Sequence, residues 1–363
     1  MADPSAVMAD PVDAIGDVGD PEGARRRRYA AEGGIRLAVG LVLLLLQLLL
    51  WYDSNAWLQV IATLVAFFGL VTGVGMLIRA AFGSHTDPAT WMSVAWLAVL
   101  LFFVFLQVAG FFDSLDADFQ NREQPPKFTT DEPLGTDQLG KSILTQSIRG
   151  ARVSLIVGLG AVTIGLIVGT VIGLTAGFFR GPTEGVFNIF TDALLAFPAL
   201  ILLFSIVAIF GGSGEGTWEV MKITLALAVL SIPTVGRLAR ANTLTFAARE
   251  FVTAAKAMGA SNRRIIFREI LPNVSLPLAS YAFIIVAVLI VAEASLSFLG
   301  VGINQITSPT WGNMISEGRD PNLLEEAPHI VFVPGVLMFL TVLSLNRIGE
   351  ALRAIWDPRE AKL

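Results

Sequence analysis

Cysteine is absent from the 363 residues, and histidine occurs only twice, at His85 and His329. Without thiols the chain has no disulfide, no thiolate zinc site and no cysteine nucleophile, and two distant imidazoles are too few for a metal centre. Charge is scarce too: Asp, Glu, Lys and Arg make up 15% of the residues. A formal net charge of −5 gives no reason to expect a nucleic-acid partner. What the chain has in abundance is apolar surface, with 54% hydrophobic residues and a mean hydropathy of +0.68.

Apolar runs long enough to cross a hydrocarbon core of about 30 Å fall at 35–52, 56–79, 91–112, 152–178, 186–211, 220–239, 274–299 and 330–350. They predict an all-α polytopic membrane protein of about eight transmembrane helices in the lipid bilayer. Residues 1–34 are rich in Pro, Gly and Asp and read as a disordered tail. Basic residues then orient the bundle, because short cytoplasmic loops retain Lys and Arg. Arg25 to Arg28, Arg79, Arg180, the cluster from Arg237 to Arg268, and Arg347 to Lys362 share one side, while the acidic 113–137 segment lies on the other. Both termini are therefore expected in the cytoplasm of a cell with the chain in its plasma (inner) membrane.

The stretch GTDQLGKS, Gly135 to Ser142, matches the phosphate-loop pattern G-x-x-x-x-G-K-[ST]. That pattern needs a buried strand delivering the turn into a helix N-terminus. The preceding REQPPKFTTDEPL contains three prolines and cannot be a central strand. The loop also falls outside by charge, away from any ATP pool, so a membrane-anchored NTPase is disfavoured.

The longest patterned loop is REFVTAAKAMGASNRRIIFREILPN, Arg249 to Asn273. Leu244, Ala247, Phe251, Ala254 and Met258 recur at three or four, which predicts one helix with a small-residue apolar face. Gly259 is placed to end it in the left-handed conformation. Ser261 is placed to cap a second short helix, and Pro272 marks the start of the next span. Periodicity alone fits a helix lying in the headgroups; the small Ala254 and Ala255 face fits a groove on another protein better.

This loop resembles the E-A-A-x-x-x-G signature of ABC importer permeases, a coupling helix that docks into an ATPase subunit. LGTDQLGKSILTQSIRGARVSLIVG, TDALLAFPALIL, AEASLSFLGVGI, PTWGNMI and LNRIGEALRAIWDPR resemble, in order, the C-type permease of the dipeptide, oligopeptide and nickel importers. In that family the LGTD segment commonly continues as G-R-D where Gly140, Lys141 and Ser142 stand here. The signature glutamate is Thr253 in this chain, and three spans precede the LGTD segment instead of one.

The resemblance implies a type I ABC importer permease core at 151–352, with a coupling loop at 241–272, an extra helix pair within the N-terminal membrane helices at 35–112, an extracytoplasmic segment at 113–150 and a cytoplasmic tail at 353–363. It implies that the chain is not an enzyme and holds no cofactor, ATP and Mg being bound by two ATP-binding subunits or domains. The other implied partners are a second permease in a heterodimer and an extracytoplasmic substrate-binding protein. ATPase coupling is expected at Thr253, Ala254, Ala255, Gly259, Ile270 and Pro272. Dipeptides or oligopeptides are the expected cargo, with nickel or another small solute as the alternative in the same family and a stand-alone secondary transporter as the rival from outside it.

Within the spans, Gly165, Gly169, Gly173 and Gly177 form a four-residue stripe, expected to be a packing seam inside the bundle or with the second permease. Pro198 and Pro233 are candidate kinks of moving helices. Glu293 is the one carboxylate well inside a predicted span, either lining a pathway or bonded to a neighbouring helix.

Overall fold

A computed structural model describes residues 21–50, 69, 72–81, 87–112, 117–126, 132–210, 217–304 and 308–356. The chain divides into two compact units, 1–92 and 93–363, with the boundary inside a helix.

The first unit holds α1 (Pro21–Leu50) and α2 (Thr72–Ala81). α1 starts well inside the stretch expected to be a disordered tail. Pro21 opens the helix, where its missing N–H costs nothing. Ala and Arg then favour the helix, and Arg28 Nε donates to Glu32 Oε1 at 2.8 Å one turn on. Gly33 is a contact point: a Cβ there would lie 2.9 Å from Met76 Cβ and 3.0 Å from the Gly73 carbonyl of α2. Residues 1–20 and most of the second predicted span lie outside the described residues.

The second unit is the helical bundle. Its elements are α3 (Pro88–Val108, belonging here from Ser93), α4 (Ile143–Phe179), α5 (Pro182–Leu195), α6 (Ala199–Phe210), α7 (Thr217–Ala247) and α8 (Glu250–Ala257). They continue with α9 (Asn262–Phe298), α10 (Trp311–Ser316), α11 (Pro321–Glu326) and α12 (His329–Trp356). Among the described residues, five helices are long and apolar enough to cross a membrane, or six if α5 and α6 count as one span.

α4 and α7 run parallel, and the glycine stripe is the reason they meet. A Cβ at Gly169 would lie 2.9 Å from the Ile232 carbonyl oxygen and 2.9 Å from Val235 Cβ; one at Gly177 would lie 2.8 Å from Thr243 Cβ. Only hydrogen on that face lets the two backbones approach so closely, and in lipid close packing is what holds helices together. The stripe is thus spent inside this chain and is not presented to a second permease.

The predicted span 186–211 is not one helix. α5 and α6 meet at a bend of 94°. Pro198 has no N–H and excludes its predecessor from helical geometry, so the chain turns there. α5 is tied to α7 by ion pairs from Arg237 to Asp192 and from Arg240 to Glu184. Pro233, by contrast, sits buried in an unbroken α7. α4 starts at Ile143, nine residues before the apolar run at 152, because Ser142 accepts from Thr145 N and opens the helix on polar residues that face the protein.

GTDQLGKS forms the turn before α4. Asp137 Oδ1 accepts from the amides of Leu139 and Lys141, each at 2.8 Å, and Oδ2 accepts from Gln146 Nε2 at 2.7 Å. The amides that a phosphate would require are therefore already held by a carboxylate of the same loop. Gly140 has φ +75°, and a Cβ there would run into the Asp118 carbonyl. Losing Asp137 (Asp137→Ala) is expected to cost about 2–3 kcal/mol, while Lys141→Ala leaves thermal unfolding of the purified chain unchanged. A larger loss from Lys141→Ala than from Asp137→Ala would reverse this assignment.

Candidate coupling surface

The connection from α7 to α9 is a sequence of helix ends. α7 stops at Ala247, Arg249 is extended (φ −78°, ψ 153°), and α8 starts at Glu250. Glu250 in its first turn and Lys256 in its last complement the helix dipole. Ala260 N donates to the Ala255 carbonyl and Gly259 N to the Lys256 carbonyl, both at 3.0 Å. With Gly259 at φ +77° this is a Schellman closure. Ser261 Oγ then accepts from Arg264 N at 3.4 Å and caps α9.

Two expectations are corrected here. The single helix expected from Leu244 to Met258 is broken at Ala248 and Arg249. No residue type there demands a break; just beyond it Val252 is fully buried. The short helix capped by Ser261 is likewise not separate. It runs on through a π-helical turn at Ile265–Ile270 into the long α9. Pro272 cannot donate, and its ring crowds the carbonyl four residues back; the widened turn lies immediately before it.

α8 has two distinct faces. Val252 and Ala255 are buried and share one core cluster with Ile265 and Ile270. Phe251, Thr253, Ala254 and Met258 face outward, with Phe251 40% and Met258 81% exposed. Lys256 Nζ stands 5.7 Å from the Phe178 ring centroid at the end of α4, a cation–π contact that ties α8 to the bundle. Beside α8, Ser261, Arg263, Arg264, Phe267 and Arg268 line a groove of about 500 Å³.

Of the residues singled out from sequence, Thr253, Ala254, Gly259 and Pro272 lie on the surface, whereas Ala255 and Ile270 support it from behind. Sequence reasoning left out Val252, the main anchor, and gave Phe251 and Met258 no role beyond periodicity. Two large apolar side chains outward on an eight-residue helix were the available signal.

Pro198, Pro233 and Glu293 are not brought together. Pro198 is exposed at the α5–α6 bend and Pro233 is buried in α7. Glu293 is 1% exposed at the other end of the bundle, so it lines no open surface. Ser297 Oγ donates to its Oε1 at 2.8 Å and Ser154 Oγ of α4 to its Oε2 at 3.3 Å. Next to it Trp311 is wedged between α4 and α9, with Nε1 donating to the Ser147 carbonyl at 3.0 Å. Glu293 therefore ties α4 to α9. Glu293→Leu is expected to cost roughly 1–3 kcal/mol for each hydroxyl left unpaired, and Glu293→Gln, which keeps an acceptor, distinctly less. Equal melting shifts for the two variants in detergent would remove the hydrogen bonds as the cause.

A family model described as the binding-protein-dependent transport system inner membrane component matches residues 165–362, from the glycine stripe through α8 to the C-terminal residues. The dipeptide transport system permease protein DppC of Alkalihalophilus pseudofirmus is 39% identical over 66% of this chain and 75% of its own length. The glutathione transport system permease protein GsiD of Pectobacterium atrosepticum is 36% identical over 62% of this chain and 72% of its own. The di/tripeptide transport system permease protein DppC of Pseudomonas aeruginosa is 35% identical over 74% of this chain and 91% of its own. With the matched region holding both the α4–α7 seam and the two-faced α8, this chain belongs to the family of binding-protein-dependent transport system inner membrane components.

Proposed function

We propose that this chain is the permease subunit of an ATP-driven importer of dipeptides or oligopeptides, coupled to its ATPases through α8. The observation that carries the coupling is the pairing of faces on α8: Val252 and Ala255 anchored inward, Phe251 and Met258 presented outward. A short helix held this way is an apolar knob on a fixed base. Arg249, Lys256, Arg263, Arg264 and Arg268 surround it with positive charge, which suits an apolar cleft with an acidic rim on an ATP-binding subunit. A helix resting in headgroups would have no need of the buried anchor.

The peptide reading draws on the names of the relatives, which are dipeptide, di/tripeptide and glutathione permeases. The working assembly is this chain paired with a second permease, two ATP-binding subunits or domains on the α8 side and a substrate-binding protein at the α10 side. Both termini are cytoplasmic in this arrangement.

Two measurements test it. With no native cysteine, Gln120→Cys and Asn322→Cys are expected to react with an impermeant thiol reagent added to intact cells, and Ser261→Cys only after lysis. Labelling of Ser261→Cys in intact cells overturns the orientation. In proteoliposomes containing the assembled complex and binding protein, a labelled dipeptide is expected to accumulate with ATP and to stimulate hydrolysis. Accumulation of Ni²⁺ and not of dipeptide would instead favour the small-solute reading.

A further inference from the structure

The ion pair of Asp192 on α5 with Arg237 on α7 stands where charge is expensive. Along α7, Arg237 follows Lys222 by fifteen residues, about 22 Å of helix and short of the roughly 30 Å of a hydrocarbon core. Beside it, α4 packs Gly173 on the Gly236 carbonyl and carries no charge for six more residues, to Phe179, about 9 Å further along. The pair therefore lies within the apolar span, in its α8-side half. Even so, the Asp192 side chain is 69% exposed and that of Arg237 47%. Lipid is a costly neighbour for such groups. An arginine can snorkel to the headgroups; an aspartate is too short to follow.

The residues around the pair are equally unsuited to lipid. Asn188, Asp192 and Ala196 recur every four residues along α5, and Thr234, Arg237 and Ala241 recur at three and four along α7, all at least partly exposed. Every one is polar or small. The large exposed apolar side chains of α5, Val186, Phe190 and Phe197, occupy a different stripe. Two polar stripes on neighbouring helices thus converge on one ion pair. Arg237 Nη2 donates to Asp192 Oδ1, and among the described residues Asp192 Oδ2 and the other guanidinium N–H groups have no partner.

We propose that this face lines the water-filled solute pathway and that the pair receives a zwitterionic peptide in transit. The peptide carboxylate takes the free N–H groups of Arg237, and the peptide ammonium donates to Asp192 Oδ2. Ionisable groups inside a span face protein or a water-filled cavity, and open guanidinium donors match a carboxylate. The ion pair stays closed throughout, since each partner keeps a free side for the solute. The proposal rests on the permease reading and adds to it the face that meets the solute and a preference for peptides with both ends charged.

Single cysteines test it in proteoliposomes of the assembled complex, because this chain has none of its own. Ala196→Cys and Thr234→Cys are expected to react with a charged methanethiosulfonate reagent at least tenfold faster than Phe197→Cys, which sits beside Ala196 on the apolar stripe; modification of this chain is read by mass spectrometry. Alanylalanine at saturating concentration is expected to slow both reactions at least threefold. N-acetylalanylalanine amide, which has neither charge, should give no protection, and Asp192→Asn combined with Arg237→Gln should remove the protection by alanylalanine. Should that double variant fail to assemble, the blocked peptide decides in the unaltered pair. Cysteines no faster than Phe197→Cys place the face against lipid or a dry interface and overturn the proposal, as does equal protection by the charged and blocked peptides or none by either. Failure of the import reading shows separately, as absence of ATP-driven dipeptide accumulation.

Discussion

Gly173→Val is expected to leave almost no folded chain in the membrane. The Cβ of any residue at this position would fall on the Gly236 carbonyl oxygen and within 2.7 Å of Ala239 Cβ. An obstructing side chain turns aside; a backbone carbonyl inside α7 does not. The two helices would have to separate along the whole stripe, since Gly165, Gly169 and Gly177 are fitted to the same approach. Overpacking costs about 1–3 kcal/mol where a core yields, and here neither partner has a rotamer to give. Gly185→Ala is the matched control, because a Cβ at Gly185 meets nothing within 4 Å. It replaces a helical glycine with the best helix former and is expected to be neutral or slightly stabilising. Fluorescence-detected size exclusion of the two variants measures the difference; a monodisperse peak of normal height from Gly173→Val would dissolve the seam.

The second large effect is expected at α8. Phe251→Asp combined with Met258→Asp should lower retention of ATPase subunits on the purified permease by more than tenfold, which is about 1.4 kcal/mol or more. A few large apolar side chains at the centre of an interface carry most of its binding energy, and these two are the large ones that α8 presents. Both are exposed in the chain alone, so the permease itself should melt as before. Ala255→Glu should act differently. It buries a carboxylate between α8 and the Ile265–Ile270 turn, unseats the helix, and lowers the melting temperature of the permease together with ATPase retention. Gly259→Val forces a β-branched residue to φ +77° and should resemble Ala255→Glu. Thr253→Glu lies on the outward face and should keep or raise retention. Normal retention in the Phe251/Met258 double variant would exclude α8 as the docking element.

Much of the bundle was legible because membrane helices announce themselves by length and hydropathy alone. The interior of the helices was less so. The four-residue glycine spacing revealed a close-packed face without saying which helix it meets. Pro198 and Pro233 look alike in sequence, yet one sits at a bend of 94° and the other inside an unbroken helix. What separates them is how the surrounding helix is held, which is a tertiary property. The break before α8 has no local signature: neither Ala248 nor Arg249 is a helix breaker. Glu293 could be recognised as constrained, but of its hydroxyl partners only Ser297 is near in sequence, and Ser154 comes from α4. The helical stretch before residue 35 is hidden in sequence because the composition of 1–34 as a whole, rich in Pro, Gly and Asp, outweighs the Ala- and Arg-containing segment that forms α1.

The parallel seam of α4 and α7 also has a mechanical meaning. α4 has 37 residues, and at 1.5 Å per residue it is about 55 Å long. Two rods pinned side by side through four glycines bend far less readily than either one, so they tilt as a single lever. At that length a tilt of roughly 5° about one end sweeps the other by about 5 Å, close to one helical turn. Lys256 grips this lever at Phe178, and Ser154 and Ser147 meet Glu293 and Trp311 near its far end. A tilt imposed at α8 would be carried by this pair to the end of the bundle where α10 packs.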